Sequence, residues 1–279
     1  MIETTQSTFL DPDPAAADEK ERNLRSMMRG MKRVLVAYSG GVDSTYLAAV
    51  ATQELNQDAL CVTGISASVS EYQREQASKI ASSLNFNHKT VNTSEVEKDD
   101  YRKNSIDRCF FCKDELYSVL GLVSTSFGGA VILDGTNADD LNDQRPGRIA
   151  AKQHSVRSPL ADAGMTKEEI RLLSKRLGLP TWDVPASPCL SSRIAHGVPV
   201  TIERLGKVEQ AENFLRSAGF REFRVRVHGD LARIEISTAE LEKIFDRSLV
   251  EQINKRFSEI GFRYVTLDLQ GFRSGSLNP

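Results

Sequence analysis

The sequence predicts an α/β fold, a doubly wound parallel sheet, followed by a smaller C-terminal α+β domain. Three observations predict it. Short apolar runs alternate with helix-type segments over the first two thirds of the chain, the pattern of a parallel sheet with helices on its faces. The first of these runs, Val34-Leu35-Val36-Ala37-Tyr38, passes into Ser39-Gly40-Gly41-Val42-Asp43-Ser44. That is a strand–glycine turn–helix unit, and ligands of such sheets bind at the carboxyl ends of the strands. After about residue 195 the pattern changes to an amphipathic helix and strictly alternating strands. At 279 residues the chain exceeds the usual single domain of about 100–150, so two domains are expected. We place a flexible tail over 1–19, the α/β domain over 20–192 and the α+β domain over 193–279.

In chain order, residues 1–13 read as a frayed tail, and 14–31, rich in Ala, Glu, Lys, Arg and Met, as a helix. Residues 45–55 read as helix and 59–65 as a buried strand. Ser70-Glu71-Tyr72-Gln73 has capping-box spacing and opens a helix to about residue 84. Residues 88–91 and 130–133 are short strands, the second entering Asp134-Gly135-Thr136-Asn137. Thr166-Lys167-Glu168-Glu169 caps a helix that ends at Leu177-Gly178. Over 201–218, Ile202, Leu205, Val208, Ala211 and Leu215 recur at helical spacing. Phe223-Arg224-Val225-Arg226-Val227 alternates strictly, which predicts a half-exposed strand with two arginines on its outer face. His228-Gly229-Asp230 turns the chain into 231–236, helical segments reach 260, and 264–269 alternates again. No internal repeat or low-complexity segment is present.

Composition excludes several classes of function. Lys+Arg 36 against Asp+Glu 38 gives net −2, no general field for nucleic acid. No apolar run approaches the roughly 20 residues of a membrane span. The N-terminus lacks a basic segment followed by an apolar one, so no secretory signal and a cytoplasmic location are expected. Four cysteines in a chain of this length do not make a disulfide framework; they read as metal, redox or core residues.

The glycine turn carries chemistry of its own. Gly40 and Gly41 let the backbone turn sharply and approach a ligand, and the helix start that follows points unpaired N–H groups outward. With the hydroxyls of Ser39 and Ser44 this is a ready anion site. It lacks G-x-x-x-x-G-K-[ST], and no lysine lies within the turn. The plainer alternative is an ordinary strand-to-helix turn. Ser39–Ser44 resembles the SGG-x-D-S signature of the PP-loop ATP pyrophosphatases. That resemblance implies ATP, its pyrophosphate held by Ser39, Gly40, Gly41, Val42, Asp43 and Ser44, with Asp43 holding Mg²⁺.

Cys109 and Cys112 form a C-x-x-C flanked by Arg108, Phe110, Phe111 and Lys113, and Cys189 follows in Ser187-Pro188-Cys189-Leu190-Ser191-Ser192-Arg193. Cys61, mid-strand, reads as core. The other three allow four readings: a dithiol redox pair, structural zinc with His154 or His196 as fourth ligand, a [4Fe–4S] cluster with one open iron, or unconnected thiols. Spacing does not separate zinc from iron.

Taken together, SGGVDS, CFFC, DGTNADDLNDQRPG, SPCLSSR, FRVRVHGDLARIEI and GFRYVTLDLQGFRSG resemble the LarE family from about residue 20 to the C-terminus. LarE-like proteins are ATP-dependent sulfur transferases, sacrificial in their best-known form. They adenylate a carboxylate of pyridinium-3,5-dicarboxylic acid mononucleotide, release pyrophosphate and replace the adenylate with sulfur, building the nickel-pincer nucleotide cofactor. Some members surrender the sulfur of one cysteine; others carry three cysteines in the arrangement seen here and are thought to use a [4Fe–4S] cluster. The resemblance implies the cluster on Cys109, Cys112 and Cys189, and a homo-oligomer. It implies Glu212 as a metal or substrate contact; Gly135 and Thr136 are expected at the nucleotide, and Arg193 among the catalytic and substrate-binding residues.

Read from the residues, Arg193 could face a phosphate near the Cys189 sulfur, and Arg224 and Arg226, two apart on one strand face, suit a mononucleotide phosphate. A solvated surface charge is the plainer account of each arginine. Asp134, Asp139, Asp140, Asp143 and Arg145 would shape the nucleotide pocket, although loop composition explains them almost as well. Rival functions are tRNA thiolation, an amidotransferase-type synthetase and a non-catalytic ATP-binding or iron–sulfur sensor. RNA demands a basic face, and from Arg193 onward 14 basic residues stand against 12 acidic ones, which favours a small substrate. The sequence does not indicate the sulfide donor.

Overall fold

The computed structural model describes residues 13–142, 146–185 and 187–273. The expected tail residues 1–12, and Asp143 and Arg145, lie outside them. Asp13 is not part of a frayed tail but the cap of α1 (Pro14–Met31): its carboxylate accepts the Ala15 amide at 3.0 Å. The expected boundary at residue 19 falls inside this helix, where Ala17 is fully buried.

The chain continues through β1 (Val34–Ala37), α2 (Val42–Leu55), β2 (Ala59–Ile65), α3 (Glu71–Ser83) and β3 (Asn87–Asn92). A 3₁₀ turn at Glu95–Glu97 and the single-turn α4 (Asp99–Arg102) lead into α5 (Arg108–Ser126). After β4 (Val131–Leu133) come α6 (Pro146–Gln153), the short α7 (Pro159–Asp162) and α8 (Lys167–Arg176). The strands form one parallel sheet in the order β3-β2-β1-β4. Alternate strand residues enter two cores. Val34, Val36, Cys61 and Leu133 pack with α1, α2 and α8, and Leu35, Leu60, Val62 and Ile132 pack with α5 and α6. Both faces are covered, which is the doubly wound arrangement. The capping boxes expected at Ser70 and Thr166 are both present.

A 3₁₀ turn at Leu190–Arg193 precedes α9 (Ile202–Ser217), β5 (Phe223–His228) and β6 (Leu231–Ile236). After a further 3₁₀ segment, α10 (Arg247–Ile260) and β7 (Tyr264–Leu267) complete a sheet ordered β5-β6-β7. Leu205, Val208, Ala211 and Leu215 of α9 are buried against Phe223, Val225 and Phe257. Ile202 is not part of that stripe; it is 68% exposed at the first position of the helix. The outer face expected for β5 is also corrected, because Arg226 is only 5% exposed. The 190–194 segment covers it: Ile194 bridges to Val227, and the Ser192 carbonyl accepts an Arg226 N–H at 2.9 Å. Tyr101, Leu190 and Ile194 belong to this second core, so it reaches back across residue 193.

Gly40 has φ +76°, and a Cβ there would lie 2.9 Å from the Ala77 Cα on α3. Gly41, by contrast, has room for a methyl group. Gly40→Ala is expected to destabilise by about 1–3 kcal/mol in urea unfolding, and Gly41→Ala by less than about 1 kcal/mol. Equal losses would contradict this account of the turn.

Candidate active site

β1 delivers Ser39–Ser44 to the carboxyl edge of the sheet, and Gly41 caps α2 with no side chain of its own. The turn is braced from within. Ser44 Oγ accepts the Ser39 amide at 3.2 Å, lies 3.0 Å from Ser39 Oγ and donates to the Gly41 carbonyl at 3.2 Å. The amides at the start of α2 therefore face outward at the positive end of the helix dipole, as an anion requires. The loop after β4 closes on this helix start: a Cβ on Gly135 would sit 3.1 Å from the Ser44 amide nitrogen. Asp134 holds that loop. It accepts from the Thr136 amide at 3.1 Å and from the hydroxyls of Thr136 at 3.0 Å, Ser158 at 2.8 Å and Tyr117 at 3.1 Å. Asp134 thus builds the loop, and the Thr136 hydroxyl is directed at it. Asp139 and Asp140 act locally as well: Asp139 accepts the Lys167 amide at 2.7 Å and Asp140 the Asn137 amide at 3.2 Å.

Two partners of Asp43 were missed in the sequence. Asn137 Nδ2 donates to its Oδ1 at 3.3 Å, and Lys167, the first residue of α8, forms an ion pair with its Oδ2. The lysine absent from the turn is supplied 124 positions downstream. Nothing in the spacing announces it, since Lys167 reads as an ordinary residue behind a helix cap. A carboxylate already facing a cation, beside outward amides, suits Mg²⁺ held mainly through phosphate oxygens. A separate cleft of about 330 Å³ lies beside Thr136, Arg148 and Arg157, and no residue of the 39–44 turn lines it.

Cys109 and Cys112 occupy the first turns of α5, a helix the sequence reading did not assign because its apolar residues are spread around it. Cys109 is exposed, and Cys112 and Cys189 are partly buried. Cys189 caps the Leu190–Arg193 turn, which is fastened by the Leu190 amide donating to the Ser68 carbonyl at 2.8 Å. Burial pushes the Cys112 thiol up, and the neighbouring Cys189, Glu95 and Cys109 push it further. Cys189 and Cys109 thus each lie within electrostatic range of Cys112. Among the described residues, however, no three His, Cys, Asp or Glu side chains close on a common point as a metal site. Three sulfurs suit iron chemically, and so the donor set fits while the site is not closed. The zinc reading lacks its fourth ligand: His154 Nε2 lies 2.8 Å from Asp114 Oδ1, and His196 sits on an exposed loop. Cys61 is core, as expected, its thiol pushed up to about 12 by burial.

Lys113, directly after Cys112, lies within electrostatic range of Asp134 in the loop beside the nucleotide turn. Burial works against its charge, yet Tyr117, Asp134 and Cys112 together hold its pKa above the ordinary lysine value. Its ammonium lies over the Tyr117 ring, 5.4 Å from the centroid.

The arginine candidates divide. Arg193 is 2% exposed and turned inward, donating to both oxygens of Glu212 at 2.8 and 3.1 Å and to the Pro188 and Cys189 carbonyls. Glu212, 4% exposed, also accepts the Val225 amide at 3.2 Å. Arg226 is committed to Glu235, 2.9 Å away. In this arrangement these groups fix the 188–193 segment on β5 and α9 rather than face a ligand. Arg224 donates to the Phe223 carbonyl at 2.6 Å and lies over the Phe272 ring; burial, then the like charges of Arg193 and Arg226, lower its pKa to about 10.

The parallel sheet, the glycine turn and the acidic residue at its helix start define a nucleotide-binding protein of the PP-loop ATP pyrophosphatase class. The asparagine synthase family matches residues 19–183. An uncharacterised protein of Synechocystis is 42% identical over 94% of this chain and 97% of its own. The pyridinium-3,5-bisthiocarboxylic acid mononucleotide synthase of Lactiplantibacillus plantarum is 35% identical over 93% and 94%. An uncharacterised protein of Methanocaldococcus jannaschii is 32% identical over 91% and 96%. The chain belongs to the LarE family. No helix among the described residues is long and apolar enough to cross a membrane.

Because thiolate is the reactive form, raised thiols resist alkylation until the pH rises toward their pKa. With iodoacetamide at pH 8, mass spectrometry is expected to show Cys109 modified first, Cys112 at least about tenfold more slowly, and Cys61 not at all in the folded protein. Equal labelling of Cys61 and Cys109 would contradict the burial described.

Proposed function

We propose that the protein is an ATP-dependent sulfur transferase acting in nickel-pincer nucleotide cofactor assembly. It adenylates a carboxylate of pyridinium-3,5-dicarboxylic acid mononucleotide and converts it to a thiocarboxylate. One observation carries the reading: the helix that begins with the cysteine pair is tied to the loop beside the nucleotide turn, the Tyr117 hydroxyl donating to Asp134 Oδ2 at 3.1 Å. Lys113, beside Cys112, is within electrostatic reach of Asp134, whose loop lays Gly135 against the helix start that holds Asp43. The similarity to the Lactiplantibacillus synthase, named for a bisthiocarboxylic product, supports the substrate class.

The chemistry follows from these groups. The amides of the 39–44 turn, with the Ser39 and Ser44 hydroxyls, receive the β- and γ-phosphates of ATP, and Lys167 is placed to turn from Asp43 toward them. A substrate carboxylate oxygen attacks the α-phosphorus and pyrophosphate leaves. A sulfur nucleophile then attacks the acyl carbon and AMP leaves, so a poor leaving group has been exchanged for a good one. Mg²⁺ on Asp43 would offset charge at the α-phosphorus. A [4Fe–4S] cluster on Cys109, Cys112 and Cys189 would supply an open iron for exogenous sulfide. Arg224 is the arginine we assign to the substrate phosphate, with Arg193, Glu212 and Arg226 holding the wall behind it. A homo-oligomer and a division near residue 193 into nucleotide and substrate domains belong to the same reading.

Pyridinium-dependent exchange of pyrophosphate into ATP tests adenylation apart from sulfur delivery. Asp43→Asn is expected to lower it at least about 100-fold, while serine at Cys109, Cys112 or Cys189 leaves it near the parent rate. Unchanged exchange in Asp43→Asn would overturn the assignment of the turn. After anaerobic purification, about four iron and four sulfide per chain are expected. A colourless protein losing about 34 Da per turnover, the mass of H₂S, would instead make a cysteine the donor.

A further inference from the structure

Cys112 packs against the core that contains Leu190, the residue after Cys189, and lies within electrostatic range of Cys189; three side chains leading into α5 account for this placement. Tyr101, Asn104 and Arg108 recur at three- and four-residue intervals, and none is more than 6% exposed. Tyr101 Oη is 2.6 Å from Ser191 Oγ. Arg108 Nη1 donates to the Ser191 carbonyl at 2.8 Å and to Asn104 Oδ1 at 2.5 Å. Asn104 Nδ2 in turn donates to the carbonyls of Ala195 at 2.8 Å and Val198 at 2.9 Å, and its own carbonyl accepts the Gly197 amide at 3.0 Å. Asn104 does this with φ +53°, a conformation asparagine tolerates better than most residues.

The Arg108 guanidinium is the costly member. It is 6% exposed, and the hydrogen bonds it makes among the described residues go to neutral oxygens. A buried cation without a carboxylate partner is unfavourable unless its hydrogen bonds secure something. What these secure is the turn that begins at Cys189. Removing the guanidinium leaves the Ser191 carbonyl and Asn104 Oδ1 buried without that donor.

We propose that Tyr101, Asn104 and Arg108 form a clasp that seats the Leu190–Arg193 turn on the start of α5. The clasp sets Cys189 opposite Cys112 before any sulfur centre is assembled, and Arg108 is its principal positioning residue. The inference rests on the sulfur-transfer reading only for its purpose; the geometry stands without it.

The test uses the full chain carrying Cys61→Ala and Cys109→Ala, so that Cys112 and Cys189 are the remaining thiols. The reduced, metal-free protein is treated with dibromobimane, which fluoresces strongly once both of its arms are alkylated. The parent is expected to bridge. Arg108→Gln is expected to bridge about tenfold more slowly, a change of about 1.4 kcal/mol, with monobromobimane labelling of Cys189 unchanged. Arg108→Lys, which keeps a donor and the charge, recovers part of the rate. Bridging of Arg108→Gln at the parent rate overturns the clasp. If that variant does not fold, Tyr101→Phe decides, since it removes one hydroxyl and keeps the ring: slower bridging supports the proposal, and the parent rate overturns it. The assay contains neither ATP nor substrate. A protein that bridges as expected but forms no AMP therefore keeps the clasp and loses the sulfur-transfer reading.

Discussion

The backbone of Gly135 lies so close to the first turn of α2 that even a methyl group would crowd the Ser44 amide. The rest of the site depends on that approach. It brings Asn137 onto Asp43, and the loop is held by the four hydrogen bonds that Asp134 accepts. The Ala138 amide then donates to the Met165 carbonyl at 2.8 Å, tying the loop to the start of α8, where Lys167 reaches back to Asp43. Outward-facing amides, a carboxylate and a cation are thus assembled from three parts of the chain by one packing constraint.

The second constraint is electrostatic. Arg193–Glu212 and Arg226–Glu235 are buried ion pairs, and such pairs add little net stability over apolar packing. Loss of a single partner is a different matter, costing about 3–5 kcal/mol, because it strands a buried charge. Their value is in position: they lock the segment from Pro188 to Arg193 against α9 and β5, and so fix where Cys189 can be. Arg224 stands beside these groups, donating to the Phe223 carbonyl at 2.6 Å and lying over the Phe272 ring, and burial with the charges of Arg193 and Arg226 lowers its pKa.

Much of this was legible in the residues. The strand at 59–65, the two capping boxes and the hairpin after Val227 lie where periodicity and turn chemistry put them. Local rules suffice for such elements. What stayed hidden is long-range. Lys167 looks like a first-turn lysine until α8 is folded against α2, and Arg226 looks solvated until the 190–194 segment covers it. Helix α5 escaped because its apolar residues do not keep to its buried face: Leu122 is exposed while Arg108 and Ser124 are buried. The inward turn of Arg193 depends on Glu212, nineteen positions away, and alternation alone carries no sign of it.

A single anaerobic turnover with ATP, Mg²⁺, sulfide and pyridinium-3,5-dicarboxylic acid mononucleotide tests the central claim most directly, with AMP and thiocarboxylate followed together. Formation of the two in equal amounts, with the polypeptide mass unchanged, is the predicted result. AMP without thiocarboxylate, or ATP left intact in the presence of the pyridinium nucleotide, would contradict a site in which nucleotide turn and cysteines serve one reaction.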